Sequence, residues 1–555
     1  MSSSSTSASA TDVEPASESA SAGEVPRLSA LFLIRFDKKV GYTLAWQKSS
    51  VDVPLDGAVE YKSLPSGLHA VKRDLVYFVH EEYAGVSAFV NGPADDAERG
   101  AQFVAVGGLV RLSYGRLGRG WLVAGGLEGI ARTISENPDD TTPLEEFWEQ
   151  QSKPQRSGST PKAENNKGHS RARALSTVTA VTPSDQSLPP YHPARSIVQY
   201  IETFGPLVFR LQQAALLRKR ILFVGPPPVR KTCEYVYNLS VLASIPTFAR
   251  SLLPTQDTAS FRLRSLFSLG VHDISYLESL QRQPKQYSSS PSSSTAETGT
   301  GWVACTTDEI IATKPHLYDI IVELPSSSDA DTLGSKRRWP NIRTASGLTV
   351  KASQRDVLRW KLLHGEIWKW RHGQGYGQHA ANSNSNSKPY TDAEPDASSN
   401  NVAENDIDNN DNDDDTTPIL PRSSAPSPSP SLHSSPYSQA ASDAFADSYT
   451  DTLVESTSWS RLAYNGFMWW ASAGESDAYT AAERERDREL VGDLKEYTHA
   501  HGVEEALIAY FHRWTGSLLE GVAEVVDQGE GGSESESESE IDLGWMRGVR
   551  RIVGS

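Results

Sequence analysis

The distribution of apolar positions divides the chain into blocks with different periods. In the first block, LFLIRF (31–36) and GYTLAWQ (41–47) flank the polar turn Asp37-Lys38-Lys39-Val40, which predicts a hairpin. A short turn of helix over SGLHAV (66–71) precedes two further strand patterns, DLVYFVH (74–80) and GVSAFV (85–90). A fifth apolar run, AQFVAVGGLVRL (101–112), leads into a glycine-containing stretch expected to be helical from about 117. Strand, strand, short helix, three strands, helix describes a small, mostly antiparallel α+β module.

The second block has a different grammar. In SIVQYIETFGPLVFRLQQAALLRKR (196–220), Ile197, Ile201, Phe204, Leu207, Val208 and Leu211 form a helical face, interrupted at Gly205-Pro206. The wholly apolar ILFVG (221–225) then precedes a helical pattern over 229–245, and the alternation recurs with GWVACTT (301–307), DEIIATKP and LYDIIVELP (317–325). Uninterrupted apolar strands between helices predict an α/β sheet covered on both faces. From about 349 onward the pattern is helical and rich in Trp. The fold class expected is therefore mixed: α+β, then α/β, then helical.

Five stretches carry too little apolar area to offset the entropy of ordering them: about 1–26, 150–190, 284–300, 374–450 and 527–542. The resulting divisions are a tail 1–26, a module 27–149, a linker 150–190 and an α/β core 191–350 with an insert at about 284–300. A helical segment 351–373, an acidic and Ser-rich insert 374–450, a helical part 451–526, an acidic stretch 527–542 and a tail 543–555 complete the chain.

Charge sharpens that partition. The formal net charge is −17 over 555 residues, but 401–415 and 527–542 each hold seven acids and no base, and the first 24 residues hold four. Removing those acids leaves the remainder near +1, which argues against nucleic-acid binding through a broad basic surface. Two cysteines, Cys233 and Cys305, are too few for a disulfide framework or a structural zinc site and read as buried small hydrophobes in a reducing compartment. The N-terminal MSSSSTSASATDVEP lacks a signal-peptide core, and the longest apolar run, LSALFLI (28–34), is too short to span a bilayer. A cytoplasmic protein is expected.

Candidate chemistry is sparse. GPPPVRKT (225–232) follows an apolar strand and ends like a phosphate-binding loop. Such a loop works through backbone N–H groups, and Pro226, Pro227 and Pro228 have none, so a strand-to-helix turn is the preferred reading. Cys305, His272, Asp273 and His316 are the material for a nucleophilic site, but no Ser elbow accompanies them and His272-Asp273 reads as a turn or cap after Gly270. No catalytic residue, metal ligand set or cofactor site is expected. Arg111, Arg116 and Arg119, beside Tyr114, are a candidate surface for phosphate or an acidic partner, weighed against a solvated helix face. KASQRDVLRWKLLHGEIWKWRH (351–372) interleaves Trp360, Trp368 and Trp370 with six bases; a helix covering the core is preferred to a membrane-interface helix. In SWSRLAYNGFMWWASAGE (458–475), Trp459, Leu462, Ala463, Gly466 and Trp470 share one helical stripe, which predicts a buried face.

Seven strings in order, RLSALFLIRFDKKVGYTLAWQ, VEYKSLPSGLHAVKRDLVYFVHEEYAGVSAF, ERGAQFVAVGGLVRLSYGRLGRGW, LFSLGVHDISYLESL, GWVACTTDEII, LYDIIVELP and SWSRLAYNGFMWWASAGE, together resemble the LCHN-type branch of the DENN-domain proteins in its fungal form. The resemblance runs from about 27 to 525 with the low-complexity inserts as gaps. It implies an N-terminal longin-like module, an α/β DENN core and a helical C-terminal part. It further implies a cytosolic regulator that meets a Rab-type small GTPase, with guanine-nucleotide exchange as the activity, at secretory or endosomal membranes; a non-exchanging scaffold is the alternative. Exchange requires no side-chain nucleophile, because the factor acts by binding the empty GTPase more tightly than the loaded one.

Overall fold

The computed structural model describes residues 26–37, 39–92, 102–152, 188–253, 261–281, 301–325, 339–382, 453–455 and 481–530. The low-complexity stretches lie almost wholly outside these, as do the tail 543–555 and the Trp stripe at 459–470. Within the described residues, those up to Trp370 and from 453 onward belong to one compact unit.

The antiparallel strands fall where the apolar runs placed them: β1 (Leu28–Asp37), β2 (Gly41–Ser49), β3 (Arg73–His80), β4 (Tyr83–Gly92) and β5 (Gln102–Arg111). The first hairpin closes because the Asp37 carboxylate accepts the backbone N–H groups of Lys39 at 2.7 Å and Val40 at 3.0 Å. Between β2 and β3 lie helix α1 (Val59–Ser63) and a 3₁₀ turn over Leu68–Ala70. Helix α2 (Trp121–Glu136) packs on β4 and β5, and α3 (Thr142–Ser152) on β1. The start of α2 is four residues later than periodicity suggests, because Leu117, Gly118 and Arg119 hold left-handed φ of 51°, 53° and 57°.

The α/β block begins with α4 (Ile197–Phe204) and α5 (Leu207–Leu216), parted at Gly205 as its φ of 54° requires. Strand β6 (Ile221–Val224) and helix α6 (Val229–Leu242) follow, then β7 (Arg264–Ser268), α7 (Ile274–Gln281), β8 (Trp302–Thr306), α8 (Glu309–Ala312), β9 (Ile320–Glu323) and β10 (Asn341–Thr344). Strands β7, β8, β6 and β9 pair in parallel, with β10 antiparallel at the end. The periodic reading overlooked β7 and β10, short strands without a long apolar run.

The two blocks share one sheet. The order is β10-β9-β6-β8-β7-β3-β4-β5-β1-β2, so β3 of the first block pairs antiparallel with β7 of the second, at Phe78 opposite Phe267. The seam is marked by a register shift between Ser265 and Phe267 and by φ of 59° at Phe267, a bulge that turns the strand. Helix α6 lies across the seam, packing on β3, β7 and β8.

Helix α9 (Gln354–Asn382) buries Val357, Trp360, Leu363 and Ile367, as expected of a helix over the core. It extends to Asn382, beyond the boundary near 373 that composition suggested. Helices α10 (Ala481–His501) and α11 (Val503–Glu530) pack on one another around Gly502 at φ 92°. Arg359 is not a snorkelling base: it meets Asp487 at 3.0 Å through both carboxylate oxygens and lies 5.4 Å from the ring centres of Phe209 and Trp514.

Candidate functional site

In an open α/β sheet the place to look for a ligand is the carboxyl end of the parallel strands, where the following loops diverge. Here that edge consists of the turns after β6 (225–228), β7 (269–273) and β8 (307–308), held together by their own bonds. The N–H of Leu269 donates to the Cys305 carbonyl at 2.8 Å, the Thr306 hydroxyl to the Leu269 carbonyl at 2.8 Å, and the Gly225 N–H to the Thr306 carbonyl at 3.2 Å.

The segment 59–74 of the first block covers this edge. Lys62 pairs with Asp273 at 2.9 Å, Tyr61 stacks on His272 with ring centres 3.9 Å apart, and Ser66 donates to Asp308 at 2.5 Å. The backbone of Gly67 runs against Pro227, so that a Cβ there would meet its ring at 3.1 Å. Asp74 closes the site. Its carboxylate, 6% exposed, accepts the N–H of Val229 at 2.5 Å and of Arg230 at 3.1 Å, the first two donors of α6. Burial pushes this carboxyl above its usual range, against the pull of three backbone N–H groups and Arg230. The helix end that resembled a phosphate cradle is thus capped by an acid, which excludes a phosphate by occupancy and by charge.

The other end of α6 is held with equal thoroughness. The last carbonyls of a helix have no partner within it. Arg116 donates through Nη2 to the Ser240 carbonyl at 2.9 Å and also to the Ser244 hydroxyl. His512 of α11 meets the Val241 carbonyl at 3.0 Å, Gln212 donates to Leu242 at 3.0 Å, and Arg218 reaches Ala243 at 3.4 Å. An acid at the N-terminus and cations at the C-terminus match the direction of the helix dipole. Asp74 and Arg116 both belong to the first block, so that block grips both ends of α6.

This geometry separates the three arginines singled out in the sequence. Arg111 is exposed, its guanidinium 5.9 Å from the Tyr83 ring. Arg116 turns inward onto α6. Arg119 is half-buried. Among the nucleophile candidates, Cys305 is fully buried with its Sγ 3.5 Å from that of Cys233, and burial drives its thiol far up. His316 faces Glu278 at 3.7 Å, whereas His272 stacks on Tyr61 and Asp273 caps Gly270 at 3.0 Å. They do not converge. Among the described residues no His, Cys, Asp and Glu group could hold a metal ion, and no helix is long and apolar enough to cross a membrane.

Sequence reasoning did not find Asp74. An Asp opening a strand carries no pattern of its own, and its partners are 155 and 156 positions away. The three prolines were the available signal, since they leave Val229 as the first N–H that the helix can offer.

The family model for DENN domain-containing protein 11 matches residues 31–332, more than half of the chain, and one described as a domain of unknown function (DUF4484) matches 454–545. DENN domain-containing protein 11 of Danio rerio is 31% identical over 305 residues, covering 54% of this chain and 54% of that protein. Its counterpart in Xenopus laevis is 31% identical over 315 residues, 54% of this chain and 60% of the relative. The uncharacterized protein ANR2 of Saccharomyces cerevisiae is 26% identical over 386 residues, 62% and 66% of the two chains. The chain thus spans little more than half the length of the vertebrate relatives it matches.

Proposed function

The chain belongs to the DENN-domain family represented by DENN domain-containing protein 11, and from that membership we propose that it regulates membrane traffic by binding a Rab-type small GTPase, as a guanine-nucleotide exchange factor. In this reading residues 27–149 are the longin-like module and 191–350 the DENN core. The observation that carries the reading is the sealed carboxyl edge: Asp74, Lys62 and Ser66 occupy the positions where an α/β enzyme would admit a nucleotide or substrate. A fold that has closed its own small-molecule site is suited to work through its surface. Exchange requires only such a surface, with tighter binding to the empty GTPase than to the loaded one.

The assay is release of a fluorescent GDP analogue from a panel of Rab GTPases by the full chain. Acceleration for at least one Rab is expected, and no acceleration across the panel counts against exchange. A non-exchanging scaffold is the second reading, favoured by the grip of the first block on both ends of α6. Partners recovered without preference for the nucleotide-free GTPase would select it. Of the three arginines, Arg111 is the one open to a GTPase or an anionic membrane, and Arg111→Glu should weaken recruitment without unfolding the protein.

A further inference from the structure

Beyond the C-terminal end of α6 the fold gathers more positive charge than that helix end uses. Arg116 arrives from the first block and Arg218 from the turn after α5, both directed at the carbonyls of 240–243. The chain then passes Ser244 into a 3₁₀ helix (Thr247–Leu252) that carries Arg250. The Ile245 N–H donates to the Phe261 carbonyl at 3.0 Å, which brings Arg262 alongside, and the Arg250 guanidinium stacks 4.7 Å from the centre of the Phe261 ring.

Among the described residues Arg116, Arg250 and Arg262 pair with no acid, and the stretch 244–263 contains a single one, Asp257, which lies outside the described residues. The Arg250 Nε is buried and meets no acceptor. Both bonds of Arg116 use Nη2, so Nε and Nη1 remain to donate. The cations also act on one another: Arg116 is lowered to about 10 by burial and Arg262, Arg218 to about 10 by burial and Arg116, and Arg262 is lowered by burial and Arg250. Arg116, Arg250 and Arg262, with an orphaned donor among them, meet no counter-charge among the described residues.

We propose that Arg116, Arg250 and Arg262 form a binding site for a phosphomonoester anion. A carboxylate offers two oxygens and one charge, whereas a phosphomonoester offers three terminal oxygens and close to two charges, which suits several guanidinium forks at once. The site is independent of the GTPase reading and lies at the opposite end of α6 from the edge closed by Asp74. The same group is presented by a soluble phosphate and by the headgroup of phosphatidic acid.

The test uses the full chain and two probes: inorganic pyrophosphate by titration calorimetry, and phosphatidylcholine vesicles with and without phosphatidic acid by co-sedimentation. Saturable binding to at least one probe is expected, weakened about tenfold or more by combined Arg250→Glu and Arg262→Glu substitution. Binding in solution identifies a soluble phosphate as sufficient, and binding to phosphatidic acid vesicles alone identifies the headgroup; either supports the site. Arg262→Gln should weaken binding in the same direction and serves if the double variant fails to fold. Absence of binding to both probes overturns the proposal, as does binding that the Arg250, Arg262 and Arg262→Gln variants leave unchanged.

Discussion

Arg116 and Arg111 stand five residues apart in one basic stretch, yet only one is spent on the fold. Arg116 supplies a charged donor to the Ser240 carbonyl, which the Ser244 hydroxyl also meets at 3.0 Å, and a hydrogen bond to a charged group contributes about 1.5–3 kcal/mol. Arg116→Met should therefore lower the denaturation free energy by roughly that amount. Arg111→Glu, by contrast, should change it by less than about 0.5 kcal/mol, as surface substitutions usually do. Chemical denaturation of both variants checks the contrast, and equal losses would contradict the assignment of Arg116 to α6. His192 makes a second prediction. It is 3% exposed, its Nδ1 accepts the Ala194 N–H at 3.2 Å, and the rings of Trp121 and Tyr237 lie 4.6 and 5.6 Å away. Burial brings its pKa down to about 4 from an ordinary 6.5. Above pH 6.5 the ring is neutral in the folded and unfolded chains alike. As the pH falls below 6.5 only the unfolded chain takes up the proton, so stability falls toward pH 4, by about 2 kcal/mol between 6.5 and 5 from this group. His192→Phe should flatten that limb of the stability profile, with His512, also lowered to about 4, and His80, lowered by burial, contributing to the slope that remains.

Among the elements, the antiparallel strands were the most legible, because their apolar, β-branched and aromatic runs are punctuated by polar turns. Their glycines were not legible as packing devices. A Cβ at Gly85 of β4 would stand 2.1 Å from the Phe78 ring of β3, and one at Gly107 of β5 would stand 2.3 Å from Phe32 of β1. In each pair the aromatic ring lies over the backbone of its neighbour, and only glycine leaves the space. Gly85→Val should displace Phe78 at the very residue that pairs with β7, at a cost of about 1–3 kcal/mol or more. The fluorescence and thermal midpoint of that variant would report it, and an unchanged midpoint would argue against the packing. Strands β7 and β10 escaped the reading because RSLFS and NIRT carry no continuous apolar run, whereas β6, β8 and β9, equally short, do. The acceptor and donor roles in the candidate site were illegible for a similar reason: capping of α6 from Asp74 and Arg116 depends on contacts 124 to 156 positions apart.

For the whole molecule, the consequence is mechanical coupling. The seam at Phe78 and Phe267, the helix lying across it and the clamps at its two ends join blocks that composition separates with a long polar linker. Unfolding should therefore be a single transition for both blocks, seen identically by near-ultraviolet dichroism and by exchange of the β4 and β8 amides; two separated transitions would show the blocks to be independent. By itself the sequence determined the identity of most elements, the division into α+β, α/β and helical blocks, the confinement of the acidic charge to polar stretches and the unsuitability of GPPPVRKT as a phosphate cradle. These properties are local: period, proline and charge act within a few residues of where they are written. Tertiary structure alone decided that the two blocks share one sheet, that the carboxyl edge is covered by 59–74, and that Arg116 serves a helix end while Arg111 stays outside. Each of those outcomes is a pairing between distant segments, and pairing energy depends on which surfaces meet, a quantity that no stretch of chain carries alone.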